Sequence, residues 1–121
     1  MKTTLIYFSL LWVCVGGVMA QNKDGEVFEV TVGQDFTITL ESNPTTGYRW
    51  QLAQPLDEVI VTLVGIEFKP PDTRRLGAGG REVWTFKAVG QGRTTVEMAY
   101  LRAWEKDVPP IKRATFRVIV Q

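Results

Sequence analysis

From Glu26 to the C-terminus the chain repeats one pattern: apolar residues at every second position, in short runs broken by glycine, proline and asparagine. That period belongs to half-buried β-strands, whose side chains point alternately to two faces. A first β-rich run covers 27–32 and is broken at Gly33-Gln34. The next, 35–41, puts Phe36, Ile38 and Leu40 on one face and Thr37 and Thr39 on the other. Beyond a turn-rich stretch, Tyr48, Trp50 and Leu52 share a face. A long run over 59–69 leads into 70–80, whose proline, glycine and charge predict an irregular loop. Residues 82–89 set Trp84 and Phe86 together, and Gly90-Gln91-Gly92 makes a tight connection. Thr94, Val96, Met98 and Tyr100 form the next apolar face. After a loop over 102–110, Ala114, Phe116, Val118 and Val120 line the last strand. No segment keeps a helical period over three turns. Short strands at this spacing predict an all-β fold, a single immunoglobulin-like antiparallel β-sandwich.

The first twenty residues read differently, as a secretory signal. Lys2 supplies the charged start, 5–18 is apolar apart from Ser9 and two glycines, and Val18-Met19-Ala20 suits a signal peptidase. The apolar run is shorter than the roughly 20 residues of a membrane span. An uncut N-terminal anchor is the alternative. A lipoprotein at Cys14 is the weaker reading, since bulky Val13 precedes it. The expected organisation is therefore a signal peptide over 1–20 and one domain over 21–121, exported to a periplasm, a vesicle lumen or the outside. Cleavage after Ala20 removes the single cysteine, so no internal disulfide can form.

Charge and composition narrow the function. Losing Lys2 leaves thirteen basic residues against thirteen acidic ones. No net basic field remains to draw in nucleic acid or an anionic membrane. Histidine is absent from the whole chain. Ser-His and Cys-His nucleophile pairs are thereby excluded, as are histidine-containing zinc sites. No metal and no cofactor is expected. Catalysis would have to rest on carboxylates, of which Glu97, Glu105 and Asp107 are the nearest candidates. They form no acid motif, scattered carboxylates are usually solvated, and a glycosidase needs a facing pair at defined separation.

Three loops stand apart from the core pattern. In Asn43-Pro44-Thr45-Thr46-Gly47-Tyr48, proline fixes its own φ and extends Asn43, while Gly47 is free to adopt positive φ. Two threonines lie between them on a stiff tip, although an ordinary turn has the same residues. Leu76-Gly77-Ala78-Gly79-Gly80-Arg81 allows close approach of backbone, or is a flexible connector. It is no phosphate loop, because no Lys-Ser/Thr pair and no helix follow. In Tyr100-Leu101-Arg102-Ala103-Trp104-Glu105, Trp104 falls just past a strand. It is either an exposed binding anchor or a ring folded back over the sandwich end. In an immunoglobulin-like sandwich the three loops are B–C, D–E and F–G, which emerge at one end. Arg74, Arg75 and Arg81 flank the glycine loop and, with Arg102, would either make that end positive or stand as ordinary solvated loop charges.

At these three segments the sequence resembles the chagasin family of cysteine peptidase inhibitors. The family's Asn-Pro-Thr-Thr-Gly-Tyr motif is matched by 43–48, its Gly-x-Gly-Gly by Gly77, Ala78, Gly79 and Gly80, and its Arg-Pro-Trp by Arg102-Ala103-Trp104. Ala103 departs from the usual proline. The resemblance implies a reversible, non-covalent inhibitor of papain-like cysteine peptidases, monomeric when free and not itself an enzyme. It implies peptidase binding through Asn43, Pro44, Thr45, Thr46, Gly47 and Tyr48, with Thr45 and Thr46 nearest the catalytic thiol. Gly77, Ala78, Gly79, Gly80 and Arg81 would lie along one side of the cleft, and Arg102, Ala103 and Trp104 (loop 102–105) along the other. The alternative is an exported immunoglobulin-like module that uses the same loops to bind carbohydrate or a protein surface.

Overall fold

The computed structural model of the chain describes residues 21–71 and 79–121. The expected signal segment, and Arg74, Arg75, Gly77 and Ala78 of the glycine loop, lie outside the described residues. Among the described residues seven strands follow in order: β1 Val27–Val30, β2 Asp35–Ser42, β3 Arg49–Leu52, β4 Val61–Lys69, β5 Gly80–Ala88, β6 Gly92–Leu101 and β7 Lys112–Val120. They make two sheets, β1-β7-β6-β3 and β2-β5-β4, packed as an immunoglobulin-like sandwich.

The alternating faces meet where the two-residue period puts them. Ile38, Phe86, Val61, Val96, Phe116 and Val118 have no exposed surface, and Trp50 and Trp84 are buried beside them. Phe36 stacks on Phe86 at 5.5 Å between ring centres and leans on Phe28 at 5.3 Å, which joins the two sheets. Each such buried ring contributes roughly 1.5–3 kcal/mol relative to exposure.

Three features depart from the sequence-based expectations. First, β1 pairs with β7 in parallel, Val27 opposite Arg117 through Val30 opposite Val120. The other pairs are antiparallel. Alternation reports faces and not strand direction, and no hairpin joins β1 to β7 to force an antiparallel pair. Second, 21–25 is tied down, where a loose terminus is the natural reading of its polar residues. The Asn22 amide N–H donates to the Thr39 carbonyl (2.8 Å), and the Thr39 N–H donates to Asn22 Oδ1 (2.7 Å). The Thr115 N–H donates to Asp24 Oδ1 at 2.7 Å. The arm thus covers part of the open edge of β2, crosses to β7, and leaves Thr39 buried on the face expected to be wet. Third, residues 57–60 form a turn ahead of β4, with the Ile60 N–H donating to the Asp57 carbonyl at 2.9 Å, so the strand begins at Val61.

Candidate functional site

The ends of β2, β4 and β6 and the starts of β3, β5 and β7 lie at one end of the sandwich. Ser42 pairs with Gly80, Lys69 with Arg81, Arg49 with Leu101 and Lys112 with Tyr100, and the Asn43–Tyr100 contact joins the two sheets there. The first loop, between β2 and β3, is built to be stiff. Pro44–Thr46 is a single 3-10 turn. The Thr46 N–H donates to the Asn43 carbonyl at 3.1 Å. The Thr45 hydroxyl donates to Asn43 Oδ1 (2.6 Å), and the Thr46 hydroxyl donates to the Asn43 carbonyl (2.7 Å). Both threonines are exposed, yet their hydroxyls are turned back onto Asn43. An asparagine that closes its own turn in this way stiffens the tip without outside help. Gly47 has φ +86°, the conformation that lets the chain turn into β3.

An aromatic column carries this tip down to the core. Trp50 meets Tyr100 at 5.0 Å between ring centres, and Tyr100 stacks on Tyr48 at 5.4 Å. The Asn43 N–H donates to the Tyr100 hydroxyl at 2.9 Å. Arg102 closes the column, its guanidinium 4.4 Å from the centre of the Tyr48 ring. Its Nε–H donates to the Thr46 carbonyl at 3.0 Å, and its Nη1 lies 3.3 Å from Glu105 Oε2. Arg102 is therefore a clamp between the first and third loops, with Glu105 opposing its charge.

Trp104 is 67% exposed, which resolves the two readings of its ring in favour of exposure. It also lies across the first loop. A Cβ on Gly47 would overlap Cη2 of the indole and sit 3.0 Å from Cζ2. The indole edge thus packs on bare backbone beside Thr45 and Thr46. The Glu105 N–H donates to the Arg102 carbonyl at 3.1 Å, closing a β-turn with Ala103 as its second residue. Proline is favoured at that position in the common turn types. Ala103→Pro is accordingly expected to raise unfolding stability by about 0.4–1 kcal/mol, measured by denaturant titration. A fall would show that the turn needs a φ or an N–H that proline cannot supply.

Of the glycine segment, Gly79 lies beside the root of the first loop, where a Cβ would stand 3.3 Å from the Ser42 carbonyl oxygen. Gly80 and Arg81 belong to β5, paired with Ser42 and Glu41. A Cβ on Gly80 would overlap the Lys69 carbonyl oxygen, so glycine there serves strand packing. The structure brings 43–48, Gly79 and 102–105 to one end. The sequence reading missed two residues that support them. Alternation puts Tyr100 on a core face, and its hydroxyl also holds Asn43. Glu82 sits fully buried on the inward face of β5, marked in the sequence only by an acid in register with Trp84 and Phe86. Among the described residues no cluster of three or more metal-binding side chains occurs.

Comparison with known proteins places the chain by family and fold. Residues 29–120 match the family model described as Chagasin family peptidase inhibitor I42. Amoebiasin-2 of Entamoeba histolytica is 25% identical over 119 residues, covering 96% of this chain and 97% of that protein. Chagasin of Trypanosoma cruzi is 35% identical over 85 residues, covering 67% of this chain and 76% of that protein. Among solved structures, the crystal structure of the cysteine protease inhibitor from Entamoeba histolytica has the same fold. Its TM-score is 0.68 at 24% identity, covering 81% of this chain and 88% of that one.

Proposed function

The chain belongs to the chagasin family of peptidase inhibitors, and from that premise we propose that it is a reversible inhibitor of papain-like cysteine peptidases that fills the active-site cleft with one end of its sandwich. The observation that carries the proposal is the tip itself. Thr45 and Thr46 are exposed on a turn closed by its own hydrogen bonds, with the exposed Trp104 packed beside them. A peptidase cleaves a chain laid extended through its cleft. A closed 3-10 turn offers no extended strand, so the tip occupies the cleft without presenting a bond in register for attack.

In this arrangement Thr45 and Thr46 stand nearest the catalytic thiol. The glycine segment runs along one side, and Arg102 and Trp104 lie on the other. Little ordering entropy is lost on docking, because Asn43, Tyr100 and Arg102 already hold the tip. An interface of standard size buries roughly 1,600 Å² in total. The free protein is monomeric in this reading and uses no cofactor. Export with removal of 1–20 would deliver a domain that begins at Gln21 and needs no disulfide.

The test is equilibrium inhibition of papain by the exported protein, with a serine peptidase as control and its N-terminal residue read beforehand. We expect Gln21 first, inhibition of papain, and none of the serine peptidase. A folded sample that inhibits neither would overturn the proposal, provided Ala103→Pro does not restore inhibition. Binding of glycans by such a sample would favour the carbohydrate-binding module.

A further inference from the structure

Glu82 is the one fully buried charged side chain among the described residues. It faces inward on β5, in line with Trp84 and Phe86. A charge in such a place costs several kcal/mol unless its oxygens are satisfied, and an apolar residue of similar shape is commonly as stable or more so. Packing alone therefore gives no reason for an acid here. Its partners suggest one.

Oε2 accepts from the Ser42 hydroxyl at 2.6 Å and from the Trp50 N–H at 3.2 Å, and Arg49 Nε lies 3.5 Å away. Oε1 accepts from the Trp84 indole N–H at 3.1 Å. Ser42 is the residue before Asn43, and Arg49 and Trp50 directly follow Tyr48. One oxygen thus collects donors from both stems of the inhibitory tip. Those stems lie in different sheets, β2 in the three-stranded and β3 in the four-stranded. No backbone ladder connects them, as one would in a hairpin. The Glu82 carboxylate, with the Trp50 indole N–H donating to the Glu41 carbonyl at 2.9 Å, spans the gap. Trp84 holds the carboxylate from the other side and touches neither stem through it.

We propose that Glu82 is a positioning residue for the inhibitory loop: its carboxylate sets the separation of the two stems and so the orientation of Thr45 and Thr46 relative to Trp104. The binding part of this inference rests on the inhibitor reading, whereas the ordering of the loop in the free protein does not. A carboxylate suits the task because it accepts at every position and donates at none. Glutamine keeps the shape but turns an NH2 group toward one set of donors and removes the charge facing Arg49.

Three variants separate positioning from stability: Glu82→Gln, Ser42→Ala on the stem side, and Trp84→Phe on the side away from the loop. Each is compared with wild type by melting temperature, by amide hydrogen exchange over 43–48 in the free protein, and by association and dissociation rates with papain. In Glu82→Gln and Ser42→Ala we expect faster exchange at Thr46. Association should slow about tenfold if the competent loop population falls to a tenth, with a smaller change in dissociation. Trp84→Phe should lower the melting temperature and leave loop exchange and association unchanged. Wild-type exchange and association in Ser42→Ala would overturn the proposal. So would equal slowing by Trp84→Phe, which would reduce Glu82 to a stability role. If Glu82→Gln does not fold, the Ser42 and Trp84 variants decide. If wild type does not inhibit papain, the inhibitor reading fails, while loop exchange still tests Glu82.

Discussion

Replacing Trp104 by alanine is expected to weaken inhibition of papain by about 2 kcal/mol or more, some thirtyfold, while leaving stability within about 0.5 kcal/mol of wild type. The separation of the two effects follows from the exposure of the ring. An indole that is 67% exposed contributes little to the core, so its loss opens no cavity. The same exposure leaves a large apolar area available to a partner at the tip. Its position is also already set, since one edge rests on the Gly47 backbone and the Arg102 guanidinium lies 6.0 Å from its centre. A large side chain that is ordered before docking loses little rotamer freedom on binding, the property that enriches tryptophan among interface hot spots. An unchanged inhibition constant with an unchanged melting temperature would remove Trp104 from the interface. A large fall in melting temperature would instead make the ring part of the fold.

Much of this site was legible from the residues, and the exceptions share a cause. The faces of β2, β5, β6 and β7 follow directly from alternation, because a two-residue period fixes which side chains meet. The stiffness of 43–48 follows from local chemistry, because Pro44, the Asn43 side chain and Gly47 act within six residues. What the period does not encode is contact between segments distant in the chain. The parallel pairing of β1 with β7, the capture of Thr39 by Asn22 and the hydrogen bond from Asn43 to Tyr100 all span such distances. Arg102 is the clearest case. By sequence it is a loop charge that adds to a positive end, and in the fold it is engaged with Thr46, Tyr48 and Glu105. Glu82 was visible as an acid on an apolar face, but its meaning depends on two stems that only the sandwich brings together.

Gly47→Ala is expected to weaken inhibition at least as much as Trp104→Ala, by about 2 kcal/mol or more, and also to lower stability by roughly 1–2 kcal/mol. Two separate causes act at this position. The φ of +86° strains any side chain that carries a Cβ, and that strain appears in the melting temperature. The new Cβ would also overlap the Trp104 indole, so the ring must leave its seat or the turn must open. Inhibition constants for the two single variants and the double variant tell these causes apart. If the methyl acts chiefly by unseating the ring, removing the ring first leaves it little further to disturb. The double variant then inhibits nearly as well as Trp104→Ala alone, and the two losses fall well short of adding. If the losses add, Gly47 acts through the backbone of the Thr45–Thr46 turn, and the contact with Trp104 is incidental to inhibition. The first result would make the first and third loops one binding unit, as the packing of Trp104 on Gly47 and the Arg102 clamp between those loops lead us to expect.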